Sequence, residues 1–147
     1  MNRTAADIGL TDAEVGPAYR LTLVGARQVT LTRAQVAALP QHSAVLPIAC
    51  VEGWSASATW AGVRLADLAR MTGISHPAGA RVESLERHGS FKAASLSGAQ
   101  VNDPQAPLAL RVNGADLPRD HGYPARVIIP AAPGVHNTKW VSKIVFQ

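Results

Sequence analysis

Val45-Leu46-Pro47-Ile48-Ala49-Cys50-Val51-Glu52-Gly53-Trp54-Ser55 carries the one cysteine of the chain, set just beyond an apolar run. Ser43–Val51 reads as a buried strand that delivers Cys50 near its end, because a short apolar run bounded by polar and glycine-containing sequence fits a core strand. A lone thiol cannot close an intrachain disulfide. Three roles stay open for it on chemical grounds: inert packing, since cysteine is among the most buried residue types; a nucleophile that meets a histidine in space; or a ligand to a thiophilic metal.

Outward from this stretch the pattern is mostly strands with short helices between them. Tyr19–Val24 alternates, and Gln28–Leu31 follows a turn containing Gly25. Thr32-Arg33-Ala34-Gln35 has the capping-box form, which predicts a short helix running to Leu39 and stopping before Pro40. Val63–Met71 is the clearest helix, with Leu65, Leu68 and Ala69 on one face and Gly73 as its C-terminal stop. Arg81–Leu85 and Ser90–Ser95 read as paired strands around His88-Gly89, and Ser97–Val101 as a single helical turn. Leu108–Val112 ends in Asn113-Gly114, a strong tight-turn signal. Arg126–Ile129 and Lys139–Phe146 complete the set, with Trp140, Ser142, Ile144 and Phe146 expected on one face of the last strand. Residues 1–18 read as a lead-in and 19–147 as one β-rich α+β domain. Trp54, Trp60 and Trp140 are expected in the core.

Composition narrows the function classes. The chain has 147 residues, 47% hydrophobic and 16% charged, which fits one globular domain with a real core. No apolar stretch approaches the roughly 20 residues of a bilayer-spanning helix, and no signal-peptide core stands at the N-terminus, so the chain as given is expected to be soluble. The compartment stays open, an extracytoplasmic domain of a membrane-anchored protein included. The net charge is +4, yet eleven of the fourteen basic residues are arginines scattered along the chain without a Lys/Arg run. A phosphate-tracking groove needs a patch or stripe of such charges, so no nucleic-acid partner is expected. Gly-x-Ser-x-Gly, Walker-type and Gly-x-Gly-x-x-Gly motifs are absent, and the five histidines show no zinc spacing with cysteine.

Two separated blocks carry a family resemblance. Cys50-Val51-Glu52-Gly53-Trp54-Ser55, followed by Trp60-Ala61-Gly62-Val63 and Leu65, resembles the cysteine segment of the sulfite oxidase-type molybdopterin-dependent oxidoreductases, in pattern nearest their minimal bacterial branch. His121-Gly122-Tyr123-Pro124-Ala125-Arg126, then Pro130, Gly134 and Asn137-Thr138-Lys139-Trp140-Val141, is similar to that family's downstream block. The resemblance runs from about Tyr19 to Phe146.

The resemblance implies that family's β-rich, mixed-sheet molybdopterin-binding fold and a molybdopterin (Mo-pyranopterin) cofactor whose molybdenum is bound by the Cys50 thiolate. Soft thiolate donors suit such a metal, and the metal's charge keeps the thiol deprotonated. It further implies that Arg126 contacts the cofactor's phosphate or pterin, that Lys139 and the backbone around Asn137 and Thr138 complete an anion pocket, and that His121 hydrogen-bonds the pterin. Gly122 and Pro124 would set the turn between His121 and Arg126. Tyr123 and His136 are further pocket candidates. The implied reaction is oxygen-atom transfer to or from a small or protein-bound substrate, with electrons exchanged with a separate partner, a membrane-bound one included. Taken one at a time, Arg126 reads equally as a surface cation, His121 as a turn residue and Lys139 as a strand-edge charge. A non-catalytic module that keeps the fold for assembly or binding is the rival reading.

Overall fold

The computed structural model describes residues 9–49, 55–86, 93–130 and 138–147, which form two five-stranded sheets and four short helices. The first sheet holds β1 (Leu21–Val24), β2 (Gln28–Leu31), β5 (Gly79–Ser84), β6 (Ala93–Ser97) and β10 (Val141–Phe146) in the order β2-β1-β10-β5-β6. It is mixed: β1 runs parallel to β10 and the other neighbours are antiparallel. The second sheet is antiparallel, in the order β3-β4-β7-β8, built from β3 (His42–Ala49), β4 (Ser55–Arg64), β7 (Pro107–Val112) and β8 (Ala115–Asp116). The two-residue β9 (Arg126–Val127) also pairs with β7, through Leu108 and Ala109. The fold is therefore the expected β-rich α+β, mixed-sheet single domain. Among the described residues no helix is long and apolar enough to cross a membrane.

Alternation along the strands divides the core in two. Leu21, Leu23, Val82, Ile144 and Phe146 of the first sheet pack with Val63, Leu108, Leu110 and Val127 of the second in the main cluster. Ala109, between Leu108 and Leu110, points the other way and joins Leu46, Trp60, Leu117 and Ile128 in a smaller cluster. Successive side chains of a strand face opposite sides, so β7 is buried on both. Pro107 to Leu110 are all buried.

The helices follow their local signals. Thr32 caps α2 (Arg33–Ala37), accepting from the Gln35 N–H at 3.2 Å while the Gln35 side chain accepts from the Thr32 N–H at 2.8 Å. Ser97 and Gln100 do the same for α4 (Gly98–Asn102). Two orphan N–H groups are thereby satisfied at each helix start. In α3 (Leu65–Met71), Leu65, Leu68 and Ala69 are buried as expected, and Gly73 follows with φ +89°. The remaining helix, α1 (Asp12–Val15), lies in the lead-in and buries Val15.

Four sequence expectations need correction. Val63 and Arg64 belong to β4, where they pair with Leu108 and Pro107, so the helix starts at Leu65. The long strand β4 itself was not anticipated. The Cys50-side strand β3 is an edge strand rather than a buried one: His42 to Leu46 alternate in burial and Val45 is 68% exposed. An edge also accommodates Pro47, whose missing N–H would break a central ladder. Finally, Ser142 does not share a face with Ile144 and Phe146, because a bulge between Val141 and Lys143 inserts it as an extra residue and puts Val141 in the core instead.

Among the described glycines the tightest backbone approach is at Gly62, where a Cβ would stand 1.9 Å from the Leu108 carbonyl oxygen. The obstacle is backbone, so no rotamer change relieves it. Gly62→Ala is expected to destabilise the fold by about 2 kcal/mol or more, read as a fall in the thermal midpoint of roughly 2–4 °C per kcal/mol. An unchanged midpoint would contradict this β4–β7 spacing.

Candidate functional site

A 3-10 turn at Arg119–His121 organises the downstream block. Its three carbonyls are each taken by a side chain from further along the chain. Trp140 Nε1 donates to Arg119 O at 2.7 Å, Lys139 Nζ to Asp120 O at 3.0 Å, and an Arg126 Nη to His121 O at 3.1 Å. Gly122, which ends the turn, has φ +115°, and a Cβ there would lie 2.8 Å from Arg126 Cβ. Glycine thus serves both the left-handed backbone and the room for the arginine.

The Thr138–Trp140 segment is held on its other side. Val127 N–H donates to Thr138 O at 2.9 Å, Ser84 Oγ to Lys139 O at 2.7 Å, and Leu85 N–H to Trp140 O at 2.8 Å. Val141 N–H donates to Ala125 O at 2.9 Å, and the buried Tyr19 hydroxyl donates to Val141 O at 2.5 Å. His121, Arg126, Thr138 and Lys139, spread over nineteen positions of sequence, are therefore tied into one hydrogen-bonded unit at the end of β10. Cys50 and Asn137 lie outside the described residues, as do Trp54, His88 and His136. Cys50 directly follows Ala49, the last residue of β3, which pairs with Ser55 at the start of β4.

Arg126 is not the surface cation that it resembles in isolation. It is 6% exposed, and its guanidinium sits 5.3 Å from the centre of the Trp60 ring. Trp60, a core residue of the smaller cluster, is itself anchored by Nε1 to Leu46 O at 3.3 Å. Burial pushes the Arg126 pKa down to about 10, which leaves it cationic at neutral pH. Thr138 is 4% exposed, and its hydroxyl makes no hydrogen bond among the described residues. Buried hydroxyls ordinarily find partners. Lys139 Nζ lies 4.6 Å from the centre of the Trp140 ring. Trp140, with φ +53°, is buried as expected.

His121 is exposed, and its pKa is held below the usual imidazole range. Partial desolvation is the largest cause, followed by Arg126 and Lys139, with Asp120 opposing. Its neutral ring can then donate from one nitrogen and accept at the other. Together these groups make a donor-rich, cationic site of the kind that binds an anion.

Two neighbours were not singled out by sequence reasoning. Trp60 was read only as core. Arg33 was read only as part of a capping box, yet it reaches Pro124 O at 3.1 Å across 91 positions and stacks at 4.5 Å over Tyr123. No local signal could have revealed a partner so distant in sequence.

Removing a positive neighbour must raise the His121 pKa. In an NMR titration, His121 is expected to titrate below the reference value of about 6.5 in the native chain. It should move upward in Arg126→Met and in Lys139→Met. Because the folded-state value is lowered, the unfolded chain binds more protons between the folded and unfolded values, so this residue's contribution to stability falls as pH drops through that window. No upward movement in either variant would contradict the charge cluster.

Comparison with known proteins agrees with this geometry. Residues 9–147 match the family described as the oxidoreductase molybdopterin binding domain. The mitochondrial sulfite oxidase of Rattus norvegicus is 30% identical over 161 residues, covering 86% of this chain and 28% of that protein. A chain of Azospira oryzae named as a candidate protein-methionine-sulfoxide reductase subunit, YedZ1, is 32% identical over 112 residues, covering 73% of this chain and 40% of that one. The sulfane dehydrogenase SoxCD of Paracoccus pantotrophus has the same fold, with a TM-score of 0.78 at 22% identity over 87% of this chain and 38% of that chain. The chain thus spans about a quarter of the length of the sulfite oxidases that it matches. It belongs to the sulfite oxidase-type oxidoreductase molybdopterin-binding domain family, whose cofactor is molybdopterin.

Proposed function

We propose that this domain carries out molybdopterin-dependent oxygen-atom transfer, with Cys50 as the protein ligand to molybdenum and His121, Arg126, Asn137, Thr138 and Lys139 holding the pterin and its phosphate. The observation that carries the reading is the buried donor set: Arg126 is buried, and so is Thr138, whose hydroxyl makes no hydrogen bond among the described residues and whose carbonyl accepts from the N–H of Val127, the residue after Arg126. The Thr138 hydroxyl gains from an anionic acceptor, because a buried hydroxyl costs free energy until it is hydrogen-bonded, and the Arg126 guanidinium supplies positive charge of the matching sign. A phosphate-bearing pterin is such an acceptor, so the residues present fit the family's cofactor.

Bound molybdenum supplies two-electron chemistry in which an oxygen atom joins or leaves the substrate, with water and two protons completing the balance. The chain's own residues orient and hold. Arg126 is fixed from one side by the His121 carbonyl and from the other by the face of Trp60. Lys139 is braced on Asp120 O and adds positive charge at the rim. Thr138 offers its hydroxyl from a backbone locked to β9. His121, neutral at physiological pH, hydrogen-bonds without adding net charge.

The relatives named as sulfite oxidases and as a candidate methionine sulfoxide reductase subunit favour a sulfur-centred substrate, small or protein-bound. Electrons pass to or from a separate partner, which this reading allows to be membrane-bound. The one cysteine of these 147 residues cannot supply the four thiolates of an ordinary iron–sulfur cluster.

Elemental analysis tests the assignment directly. Expressed in a host that makes the cofactor, the native chain is expected to carry molybdenum near one per protein, and Cys50→Ser is expected to lose it. Thr138→Val should weaken cofactor retention roughly tenfold, the size of one hydrogen bond to a charged group. Full molybdenum content in Cys50→Ser would sink the ligand assignment.

A further inference from the structure

The loop that presents Arg126 is gripped from behind by a residue far away in sequence. Arg33 opens α2, and the Thr32–Gln35 capping box fixes the backbone from which it extends. Its Nε donates to Pro124 O at 3.1 Å. One Nη donates to Leu110 O at 2.9 Å and to Asp116 Oδ1 at 3.2 Å. Its guanidinium Cζ lies over the Tyr123 ring, 4.5 Å from the ring centre. Only 21% of the side chain is exposed.

Leu110 is the residue that the β4–β7 register shift leaves without a partner on β4, so its carbonyl is open to other donors; the Leu117 N–H at 3.3 Å also uses it. Arg33 therefore clamps Tyr123 and Pro124 against β7. The same loop is held at its other end by the Arg126–His121 bond and by Val141 N–H on Ala125 O. Within the loop the Gly122 and Tyr123 N–H groups donate back to Arg119 O and Pro118 O, each at 3.2 Å, while Arg33 supplies the contacts on the Tyr123 ring and the Pro124 carbonyl.

We infer that Arg33 is a positioning residue for the cofactor: without touching the pterin, it sets the placement of the Gly122–Arg126 loop and thereby the retention of the bound molybdopterin. The inference rests on the cofactor site proposed above. A planar guanidinium is required, because two carbonyls, a carboxylate and an aromatic face are engaged together. A lysine ammonium keeps the charge but cannot reproduce that fork.

The test is the rate at which purified holoprotein releases its cofactor, followed by the fluorescence of the freed pterin, beside the melting of the cofactor-free protein. Arg33→Lys is expected to release the cofactor about tenfold faster, as outer supports of a bound group typically do when lost, with the melting midpoint of the cofactor-free form little changed. Arg33→Ala should release at least as fast, and Asp116→Asn, which removes only the exposed end of the network, should stay near the native rate. Native release by Arg33→Lys would overturn the inference. So would a faster release matched by collapse of the cofactor-free fold, which assigns Arg33 to folding instead. Arg126→Ala separates the two readings: fast release there with native release in Arg33→Lys removes Arg33 alone, whereas a native chain without cofactor, or native release in Arg126→Ala, removes the site and this inference with it.

Discussion

Strand β7 is wedged between two apolar clusters, and the rest of the molecule is arranged around that double burial. Leu108 and Leu110 pack into the main core with both sheets, while Ala109 faces the smaller cluster under Trp60. Fully burying one leucine contributes about 1.5–3 kcal/mol, so any shift in register along β7 would exchange core and site-facing residues at considerable cost. Gly62 permits the close approach of β4, and the pairing of Ala109 with Arg126 puts the arginine on the same side as Trp60. The position of the site is thus a consequence of how β7 is buried.

A buried cation is then the dominant electrostatic fact. The Trp60 face and the His121 carbonyl both help to hold the Arg126 guanidinium in its buried position. The 3-10 turn at Arg119–His121 gives its three carbonyls to Trp140, Lys139 and Arg126, so the two halves of the downstream block are joined without any carboxylate in those three bonds. On the proposed reading, such a site is ordered before its anion arrives. Preorganisation of this kind reduces the ordering cost on binding.

Local chemistry made part of this legible in the sequence. The Thr32–Gln35 capping box marked one helix start and Ser97–Val101 was legible as a helical turn, whose own box at Ser97–Gln100 the structure adds; reciprocal side-chain bonds of this kind need nothing beyond the next turn. Asn113-Gly114 marked the β7–β8 turn, where both residues take positive φ. The early part of β4 was not legible: Ser55-Ala56-Ser57-Ala58 has little intrinsic strand preference, and its state comes from pairing with β3, as that of Ala61–Arg64 does from β7 as well. Val63 and Arg64 look like the start of a helix for the same reason. The bulge at Ser142 likewise follows from the register against β5, which no alternation within β10 encodes.

For the site, the sequence by itself determined the family-like order of residues, the donor chemistry of His121, Arg126, Thr138 and Lys139, and the glycine needed at position 122. These depend on residue type and on neighbours a few positions away. Only the tertiary structure decided that Arg126 is buried on Trp60, that Thr138 presents a buried hydroxyl, and that Arg33 braces the loop from 91 positions away. Burial and distant hydrogen bonds are properties of the packed chain, set by which strands meet, and no window of local sequence contains them.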